Sequence, residues 1–268
     1  MYHLSKLNTK KQRDLKNMNK EEMMLQKRLI ELSRIAYQRG IVTFSDFLNL
    51  NELNILHTIP KAELYSQYVT FGGYEHSERQ MVAFLPDALC YEYEYPISII
   101  KVTPSHKKFA DSLSHRDYLG AILNLGMERC KIGDILVEET GAFIFVHSSM
   151  EQFVLDEFRK VKHTTMDVRI EPFQEFQYEP KRKEIRGSVS SVRLDSLLAL
   201  AFSSSRSKLT AYIENGKVFV NGKLVTSNGY QIKENDIVSV RGLGRFQFQE
   251  ILSQTKKGRY YAVIQLYI

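Results

Sequence analysis

Apolar positions recur every three or four residues over residues 20–58, which is the period of an amphipathic α-helix. Gly40 is expected to end a first helix, because glycine readily adopts the left-handed backbone of a helix C-terminus. Thr43 or Ser45 then caps a second, shorter helix. Residues 1–19 are rich in Lys and Arg and have few apolar anchors, so we predict a flexible basic arm before this helical hairpin.

Residues 59–172 alternate between strand and helix patterns. A hairpin is indicated around Gly72 and Gly73. Beyond it, four apolar or β-branched runs indicate strands, and two amphipathic stretches among them indicate helices. The order strand, helix, strand, strand, helix, strand is that of the ferredoxin-like fold, which RNA-recognition domains share. The pattern therefore predicts a ferredoxin-like domain, which implies no function by itself.

RNA-recognition domains stack bases on aromatic side chains of their central strands. The run at residues 98–103 has no aromatic residue, and the run at residues 141–147 places Phe143 and Phe145 outside the expected register. We therefore predict that these two rings pack in the core, with base stacking as the alternative.

Residues 173–187 are rich in Pro, Gln and charged residues and predict a linker. From residue 188 onward, apolar spacing predicts two short helices separated by serines at 203–205, and then a series of strands. Asn221-Gly222 is a strong signal for a hairpin turn. The predicted fold class is α+β, with a helical hairpin, a ferredoxin-like (RRM-like) βαββαβ domain and a C-terminal αα-β domain over residues 188–268.

Charge is distributed unevenly along the chain. Residues 181–268 carry a net charge of +9, whereas the preceding 180 residues carry −3. This segregation favours a nucleic-acid-binding module joined to a different body, with a basic surface kept for solubility as the alternative.

The composition excludes several classes of protein. With 43% hydrophobic and 25% charged residues, the chain is not wholly disordered. No apolar run approaches the roughly 20 residues of a membrane span, and the N-terminus lacks the apolar core of a secretory signal. Cys90 and Cys130 are far apart and have no CxxC partner. We therefore predict a cytoplasmic protein with no membrane contact and no disulfide framework.

In the C-terminal region, the ordered motifs RLD, SRSK, GKVFVNG, Ser227 and NDIVSVRG resemble the S4 RNA-binding domain. The resemblance implies that paired helices present basic and polar side chains to structured RNA. Helix N-termini attract phosphate, and neighbouring Arg and Lys add charge-assisted hydrogen bonds. Asp195 is expected to orient an arginine or to cap a helix. The predicted RNA-binding residues are Arg193, Ser205, Arg206, Lys208, Lys217, Asn221, Lys223, Ser227, Arg241, Arg245, Lys256, Lys257 and Arg259.

Three further motifs, GGYEHSERQMVAFLPD, LSHRDYLGAILNLGMERCKIGDILVE and RGLGRF, together with the S4-like region resemble the YlmH-like family of bacterial S4 proteins. The resemblance implies cytoplasmic proteins, often encoded beside cell-division genes, that bind the large ribosomal subunit and the peptidyl-tRNA left after ribosome splitting. It predicts binding of rRNA and tRNA in quality control of stalled translation. The alternative is a cell-division-associated interaction protein, whose N-terminal body binds a protein partner and whose S4 domain has an accessory role.

Catalytic motifs in the sequence are incomplete. His115-Arg116-Asp117 matches the kinase catalytic-loop triplet, but no Gly-rich phosphate loop or DFG motif accompanies it. We expect this triplet to cap a helix, with an RNA contact by His115 and Arg116 as a secondary role. The RLD motif of pseudouridine synthases is present without a region that resembles their catalytic domain. No HExxH or similar spacing exists, so we predict no metal, no other cofactor and no enzymatic activity.

Overall fold

The structure is a computed structural model that describes residues 2–106, 111–255 and 258–268, with side chains described from Lys20 onward. The chain divides into two compact units, Met1–Gln177 and Tyr178–Ile268. Among the described residues, no helix is both long enough and apolar enough to cross a membrane.

The first unit begins with a long helix and continues with two antiparallel sheets. Its described helices and strands are α1 (Tyr2–Arg39), β1 (Thr43–Phe44), α2 (Leu50–Thr58), β2 (Gln67–Phe71), β3 (Met81–Leu85), β4 (Ile97–Pro104), α3 (His115–Asn124), β5 (Ile132–Glu138), β6 (Gly141–His147), α4 (Glu151–Glu157), β7 (Lys160–Val161) and β8 (Thr164–Glu171).

Helix α1 ends where the sequence predicts, because Gly40 adopts the left-handed conformation with φ +65°. The helix includes residues 2–19, for which the sequence predicts a flexible arm. This segment has no Gly or Pro and many residues of high helix propensity, which favours continuation of the helix.

Helix α2 begins after Asn49 and not after Thr43 or Ser45. The Asn49 side chain accepts a hydrogen bond from the backbone N–H of Glu52, and the Glu52 carboxylate accepts one from that of Asn49. This reciprocal capping box satisfies two backbone donors at the helix start. Thr43 belongs instead to β1, and the Ser45 hydroxyl accepts a hydrogen bond from the N–H of Val82.

Strands β2 and β3 form the predicted hairpin, but they lie in a three-stranded sheet of their own, in the order β1-β3-β2. Val82 and Phe84 of β3 are fully buried in one cluster with Leu29 of α1 and Leu56 of α2. This sheet therefore packs against the helices. The sequence predicts one domain over residues 59–172, whereas the structure has two sheets there, because β3 pairs with a strand that precedes α2.

The second sheet has the order β5-β6-β4-β8-β7. Its elements follow the predicted order strand, helix, strand, strand, helix, strand, with the two-residue β7 added before the last strand. Ile144 of β6 is buried in one cluster with Ile122 of α3 and Val154 of α4. The helices therefore cover one face of this sheet, and Phe143 and Phe145 lie on the other, because neighbouring strand residues point to opposite faces.

The second unit is a six-stranded antiparallel sheet with two helices. Its described elements are β9 (Arg182–Val189), α5 (Leu194–Ala201), α6 (Arg206–Glu214), β10 (Val218–Val220), β11 (Lys223–Leu224), β12 (Ile237–Val240), β13 (Gly244–Gln254) and β14 (Tyr260–Tyr267). The strand order is β11-β10-β12-β13-β14-β9.

Strand β9 occupies part of the segment that the sequence predicts as a linker, residues 173–187. It pairs along its length with β14, from Arg182 opposite Tyr267 to Val189 opposite Tyr260. Most side chains of β9 are exposed, so the segment lacks the apolar alternation by which a half-buried strand is recognised. Backbone pairing with a distant strand places it in the sheet.

Helices α5 and α6 cover one face of the six-stranded sheet. A row of residues on four neighbouring strands packs in the same apolar cluster as the helices: Val220, Val238, Phe246 and Leu266. Because successive strand residues alternate between faces, Phe219, Ser239 and Arg245 lie on the opposite side of the sheet. We call that side the open face because neither α5 nor α6 covers it, although Phe219 there is fully buried.

Candidate nucleic-acid interface

The N-terminal ends of α5 and α6 carry four of the predicted RNA-binding residues. Arg193 is the N-cap residue of α5, and Ser205 is that of α6, where its Oγ accepts a hydrogen bond from the N–H of Lys208 at 3.4 Å. Helix N-termini carry partial positive charge and backbone N–H groups that attract phosphate. We call Arg193, Ser205, Arg206 and Lys208 the helix-start group.

The Arg206 guanidinium connects α6 to the segment that joins β9 and α5. Its Nη2 donates hydrogen bonds to Oγ of Ser190 at 2.8 Å and to Oγ of Ser196 at 2.9 Å. Ser190 directly follows β9, and Ser196 lies in the first turn of α5. The two serines hold the guanidinium in a fixed position. Because Arg206 is exposed, the guanidinium is still accessible to a phosphate.

Asp195 orients Arg193, as the sequence predicts. Nε of Arg193 lies 3.3 Å from Oδ1 of Asp195, and Nη2 donates to Oδ2 at 3.3 Å. The Asp195 side chain is 12% exposed, whereas that of Arg193 is 42% exposed. A mostly buried carboxylate therefore holds a guanidinium whose outer part faces solvent.

The loop that follows β11 lies beside the start of α5. The N–H of Leu194 donates to the carbonyl of Tyr230 at 2.9 Å, and the N–H of Tyr230 donates to the carbonyl of Ser227 at 3.2 Å. Ser227 is exposed in this loop, and Lys223 is exposed on β11. Ser227 is therefore joined to the start of α5 through two backbone hydrogen bonds.

Asn221 has a structural role in the turn after β10. Its backbone is left-handed with φ +49°, its Oδ1 accepts a hydrogen bond from the N–H of Ile237 at 2.9 Å, and its Nδ2 donates to Asp236 at 2.8 Å. Both ends of the amide are thus used within the fold. An RNA contact by Asn221 stays a prediction.

The described cations that the sequence predicts on the C-terminal strands lie at different places on the six-stranded sheet, and their contact with RNA stays a prediction. The N–H of Arg241 donates to the carbonyl of Lys217 at 2.9 Å, which places both residues at one end of β10 and β12. Arg245 lies on the open face, away from the helices. The sequence order could not show this division, because strand alternation sends neighbouring residues to opposite faces.

Arg259 lies close to the other end of β9. Its Nε donates to Oγ of Ser188 at 2.9 Å, and its Nη2 donates to the carbonyl of Ser188 at 2.7 Å. The predicted contacts Lys256 and Lys257 lie outside the described residues.

In the first unit, Phe143 and Phe145 are buried, as the sequence predicts. Phe143 is 4% exposed and Phe145 is fully buried. The Phe176 ring meets both rings edge-on, with centroids 5.1 and 5.3 Å away, and the Tyr74 ring lies 5.2 Å from Phe145. The sheet face on which RNA-recognition domains stack bases is therefore covered here by the unit's own aromatic residues.

The loop that carries Tyr74 is held by Asp134 on β5. Oδ2 of Asp134 accepts hydrogen bonds from the Tyr74 hydroxyl and the Glu78 N–H, each at 2.7 Å. Gly73 has φ +102°, and a Cβ there would clash with the Phe145 ring. Arg79 is buried and donates from Nε to the carbonyl of Ile132 at 2.8 Å. The GGYEHSERQ motif therefore packs the loop against the sheet.

The HRD triplet caps helix α3, as the sequence predicts. Oδ2 of Asp117 accepts hydrogen bonds from the N–H and the hydroxyl of Ser114 at 2.8 and 2.7 Å, and Nζ of Lys162 lies 2.9 Å away. The hydrogen bond from Lys162, together with those from Ser114, lowers the pKa of Asp117 to about 2. His115 and Arg116 are exposed in the first turn, and their contact with RNA stays a prediction.

Metal-ligating and nucleophilic side chains are dispersed. Within residues 2–106, 111–255 and 258–268, no group of three or more His, Cys, Asp or Glu is placed to hold a metal ion. Cys90 and Cys130 are free thiols, and burial raises the pKa of Cys130. A raised pKa disfavours the reactive thiolate, so Cys130 lacks the electrostatic activation of a catalytic cysteine.

Comparison with known families matches both units. Residues 91–175 match the family model described as "Putative RNA-binding domain in YlmH", and residues 192–238 match the S4 domain. The chain is 29% identical over 246 residues to the ribosome-associated protein quality control protein P2 of Bacillus subtilis (strain 168), covering 90% of this chain and 93% of that protein. These matches together support a YlmH-like family for this chain.

A solved structure described as cell division protein ylmH from Streptococcus pneumoniae is also similar, with a TM-score of 0.48 and 25% identity, covering 58% of this chain and 93% of that chain. Within this chain, the match at residues 91–175 contains the five-stranded sheet, and the S4 match contains the helix-start group. Each unit thus includes a segment that matches an RNA-binding domain.

Sequence reasoning missed three residues that shape the candidate interface. Ser190 and Ser196 hold Arg206, and Arg182 lies on the open face beside Tyr267. The serines flank the RLD motif in the sequence, which was a usable signal for hydrogen-bonding partners. Arg182 had no such signal, because its segment reads as a linker.

Proposed function

We propose that this protein binds RNA on the ribosome, contacting rRNA of the large subunit and peptidyl-tRNA during quality control of stalled translation. The observation that carries the proposal is the helix-start group, in which two helix N-termini and three cationic side chains lie together in an S4 match. The Bacillus subtilis relative, which is named for ribosome-associated quality control and aligns over most of both chains, supports the same class of role.

The proposed mechanism is electrostatic recognition of folded RNA. Each cation of the helix-start group that neutralises a phosphate releases condensed counterions, which supplies affinity that falls with rising salt. The guanidiniums of Arg193 and Arg206 are held by Asp195 and by two serines, so little side-chain entropy is lost on binding. The shape of the RNA, together with these fixed positions, then selects the site.

The four long strands of the five-stranded sheet lie in the order β5-β6-β4-β8 and pair antiparallel, which supports assigning this domain to the ferredoxin-like class. The proposed role needs only binding, so we propose a non-enzymatic protein that works in the cytoplasm, where ribosomes are.

An exposed apolar patch favours a second candidate function for the first unit. Tyr37 and Tyr65 are 53% and 51% exposed with ring centroids 6.5 Å apart, and Ile41 is 42% exposed. Exposed apolar groups that cluster in this way mark protein-interaction surfaces. In this candidate function the first unit binds a protein of the division machinery, and the S4 domain is accessory.

The test of RNA binding is the salt dependence of affinity for purified large ribosomal subunits. The double variant Arg193→Ala with Arg206→Ala should lower the slope of log affinity against log salt by about 1 to 2, because each lost phosphate contact removes roughly 0.7 to 0.9. An unchanged slope would exclude these contacts. The charge-matched control is Lys27→Ala with Arg28→Ala on α1, which should keep the wild-type slope.

A second measurement separates the two candidate functions. Sedimentation of a cell lysate at moderate salt should place the wild-type protein with large subunits and leave the Arg193/Arg206 variant at the top of the gradient. If the Arg193/Arg206 variant still comigrates with large subunits, and if adding Tyr37→Ala and Tyr65→Ala abolishes that comigration, recruitment through a protein partner is favoured.

A further inference from the structure

Two arginines are held next to each other where β9, an edge strand of the six-stranded sheet, ends. Arg206 donates from Nη2 to Oγ of Ser190 at 2.8 Å. Arg259 donates from Nε to Oγ of Ser188 at 2.9 Å and from Nη2 to the Ser188 carbonyl at 2.7 Å. Because Ser188 and Ser190 are two residues apart, their Cα atoms are separated by at most about 7 Å. The two guanidiniums are therefore anchored at neighbouring points of one chain segment.

These two guanidiniums have no carboxylate partner. Their side-chain hydrogen bonds go to serine oxygens, and within residues 2–106, 111–255 and 258–268 neither arginine forms a salt bridge. Nε and Nη1 of Arg206 and Nη1 of Arg259 take no part in those hydrogen bonds. Both residues are exposed. Two oriented cations thus face solvent with N–H groups that can bond an anion.

An exposed aromatic residue lies beside Arg259. Tyr261 is directly opposite Ser188 in the pairing of β14 with β9, and it is 37% exposed. Residues directly opposite each other in an antiparallel pair have Cβ atoms about 5 Å apart and share one face of the sheet. The Tyr261 ring is therefore next to the serine that holds Arg259. An aromatic ring in such a place can stack on an unpaired base, because every base has a π-face.

This end of the sheet is more exposed than the part of the open face that contains Phe219. Strand β12 pairs with β13 no further than Gln247, whereas β13 and β14 pair as far as Gln254. The buried Phe219 lies on β10, which pairs with β12 and does not reach this end. Ser188 and Arg259, like Tyr261, are exposed. A ligand can therefore reach these side chains.

The carboxylates near this end have cationic partners or lie further along the strands. Asp195 is paired with Arg193, and Glu184 accepts a hydrogen bond from Nε of Arg186 at 2.6 Å. Glu250 lies in the next row of the open face, about 7 Å further along the strands. The positive charge of the two serine-held arginines is therefore not cancelled locally.

We infer that Arg206, Arg259 and Tyr261 form a subsite for an unpaired nucleotide of the bound RNA, which we call the edge site. The guanidiniums bind neighbouring phosphates of one strand, and the Tyr261 ring stacks on the base. The inference rests on the proposed RNA binding by the helix-start group, because Arg206 belongs to both sites. It adds that the bound RNA continues as a single strand past the end of β9.

RNA hairpins with and without an unpaired extension test the inference. The full chain is titrated with a fluorescent blunt-ended hairpin and with the same hairpin carrying a short run of unpaired uridines at its 3′ or its 5′ end. One of the extended hairpins should bind at least about fivefold more tightly, because one stacked base supplies that much affinity or more. Equal affinity for all three hairpins would overturn the inference.

An extension of abasic nucleotides separates stacking from charge in the wild-type chain. It keeps the phosphates but has no bases, so most of the gain in affinity should disappear. This measurement needs no variant and stays decisive even if a substitution disturbs folding. An abasic extension that binds as tightly as uridines would overturn the assignment of a base to Tyr261.

Substitutions then assign the gain to the edge site. Tyr261→Ala should remove the preference for the extended hairpin, whereas Tyr261→Phe should keep it. Arg259→Gln should lower the slope of log affinity against log salt by about 0.7 for the extended hairpin and leave it unchanged for the blunt one, because one single-strand phosphate contact is lost. The matched controls Tyr65→Ala and Arg28→Gln, at exposed positions of the first unit, should bind all hairpins as wild type does. A wild-type preference in Tyr261→Ala, or a wild-type slope in Arg259→Gln, would contradict the edge site.

Failure of the edge site and failure of the proposed function give different results. An extension that adds no affinity, together with a lowered salt slope of the Arg193/Arg206 variant on large ribosomal subunits, would remove the edge site and leave the proposed function intact. A wild-type slope of that variant on large subunits would contradict the proposed function itself.

Discussion

The two units contain sheets with the same plan but with different groups over their aromatic residues. Each sheet has helices on one face and aromatic residues on the other. In the first unit, Phe143 and Phe145 lie beneath Phe176 and Tyr74 and are buried. In the second unit, Phe219 is also fully buried, and the guanidiniums of Arg241 and Arg245 lie over the rings of Phe219 and Tyr267. Aromatic residues on a strand therefore do not define a binding surface, because the groups that cover them decide what a ligand meets.

The polar groups of the two units differ in the same way. In the first unit, Asp134 and Asp117 bond to the unit's own N–H and hydroxyl groups and to Lys162. In the second unit, Asp195 and Ser196 hold arginines that remain partly or largely exposed. These two carboxylates of the first unit thus stabilise its fold, whereas Asp195 and Ser196 of the second unit position arginines toward solvent.

The variant Phe145→Ala should have the largest effect on stability and tests whether the rings of the first unit serve its fold. Removing a fully buried ring should lower the free energy of unfolding of the first unit by about 3 to 5 kcal/mol, because the transfer energy is lost and a cavity remains. RNA affinity at the helix-start group should change little. Chemical denaturation followed by hydrogen exchange, read separately for each unit, checks the stability, and binding to purified large ribosomal subunits checks the RNA affinity. Unaltered stability with lowered RNA affinity would mean that the ring contacts RNA.

A smaller effect is expected for Phe176→Ala. Phe176 is only partly buried, so the loss should be about 1 to 2 kcal/mol. The substitution would expose the rings of Phe143 and Phe145 and sharpen the contrast between the sheets. Binding of single-stranded RNA, measured by fluorescence anisotropy in chains that also carry Arg193→Ala and Arg206→Ala, should be absent while Phe176 is intact. Stronger binding in the variant would show that coverage alone prevents base stacking.

The smallest effect is expected for Asp117→Asn, and it depends on pH. The pKa of Asp117 is about 2 in the folded protein, below its ordinary value near 4, so its ionised form stabilises the fold above about pH 4. That contribution is lost as the pH falls toward 2. Thermal unfolding should therefore show a lower midpoint for the variant at pH 7, and the difference should shrink at pH 2 to 3. A constant difference would disprove the role of ionisation.

Local signals in the sequence were sufficient for much of the fold. Gly40 ended α1, Ser205 capped α6, and Asp195 oriented Arg193, because each of these depends on residues close in the chain. The order of elements over the five-stranded sheet followed from hydrophobic periodicity for the same reason. The S4 motifs likewise placed the helix-start group, since its members lie within a short segment.

Other features were decided only by tertiary structure. Pairing of β9 with β14 turned a predicted linker into a strand, and it brought Arg182 beside Tyr267, a residue far away in the sequence. The division of the cations between two surfaces, and the burial of Phe145 by Phe176, likewise depend on strand pairing and packing. Such contacts join distant segments, and a pattern of hydrophobic and charged residues in one segment does not specify its partner.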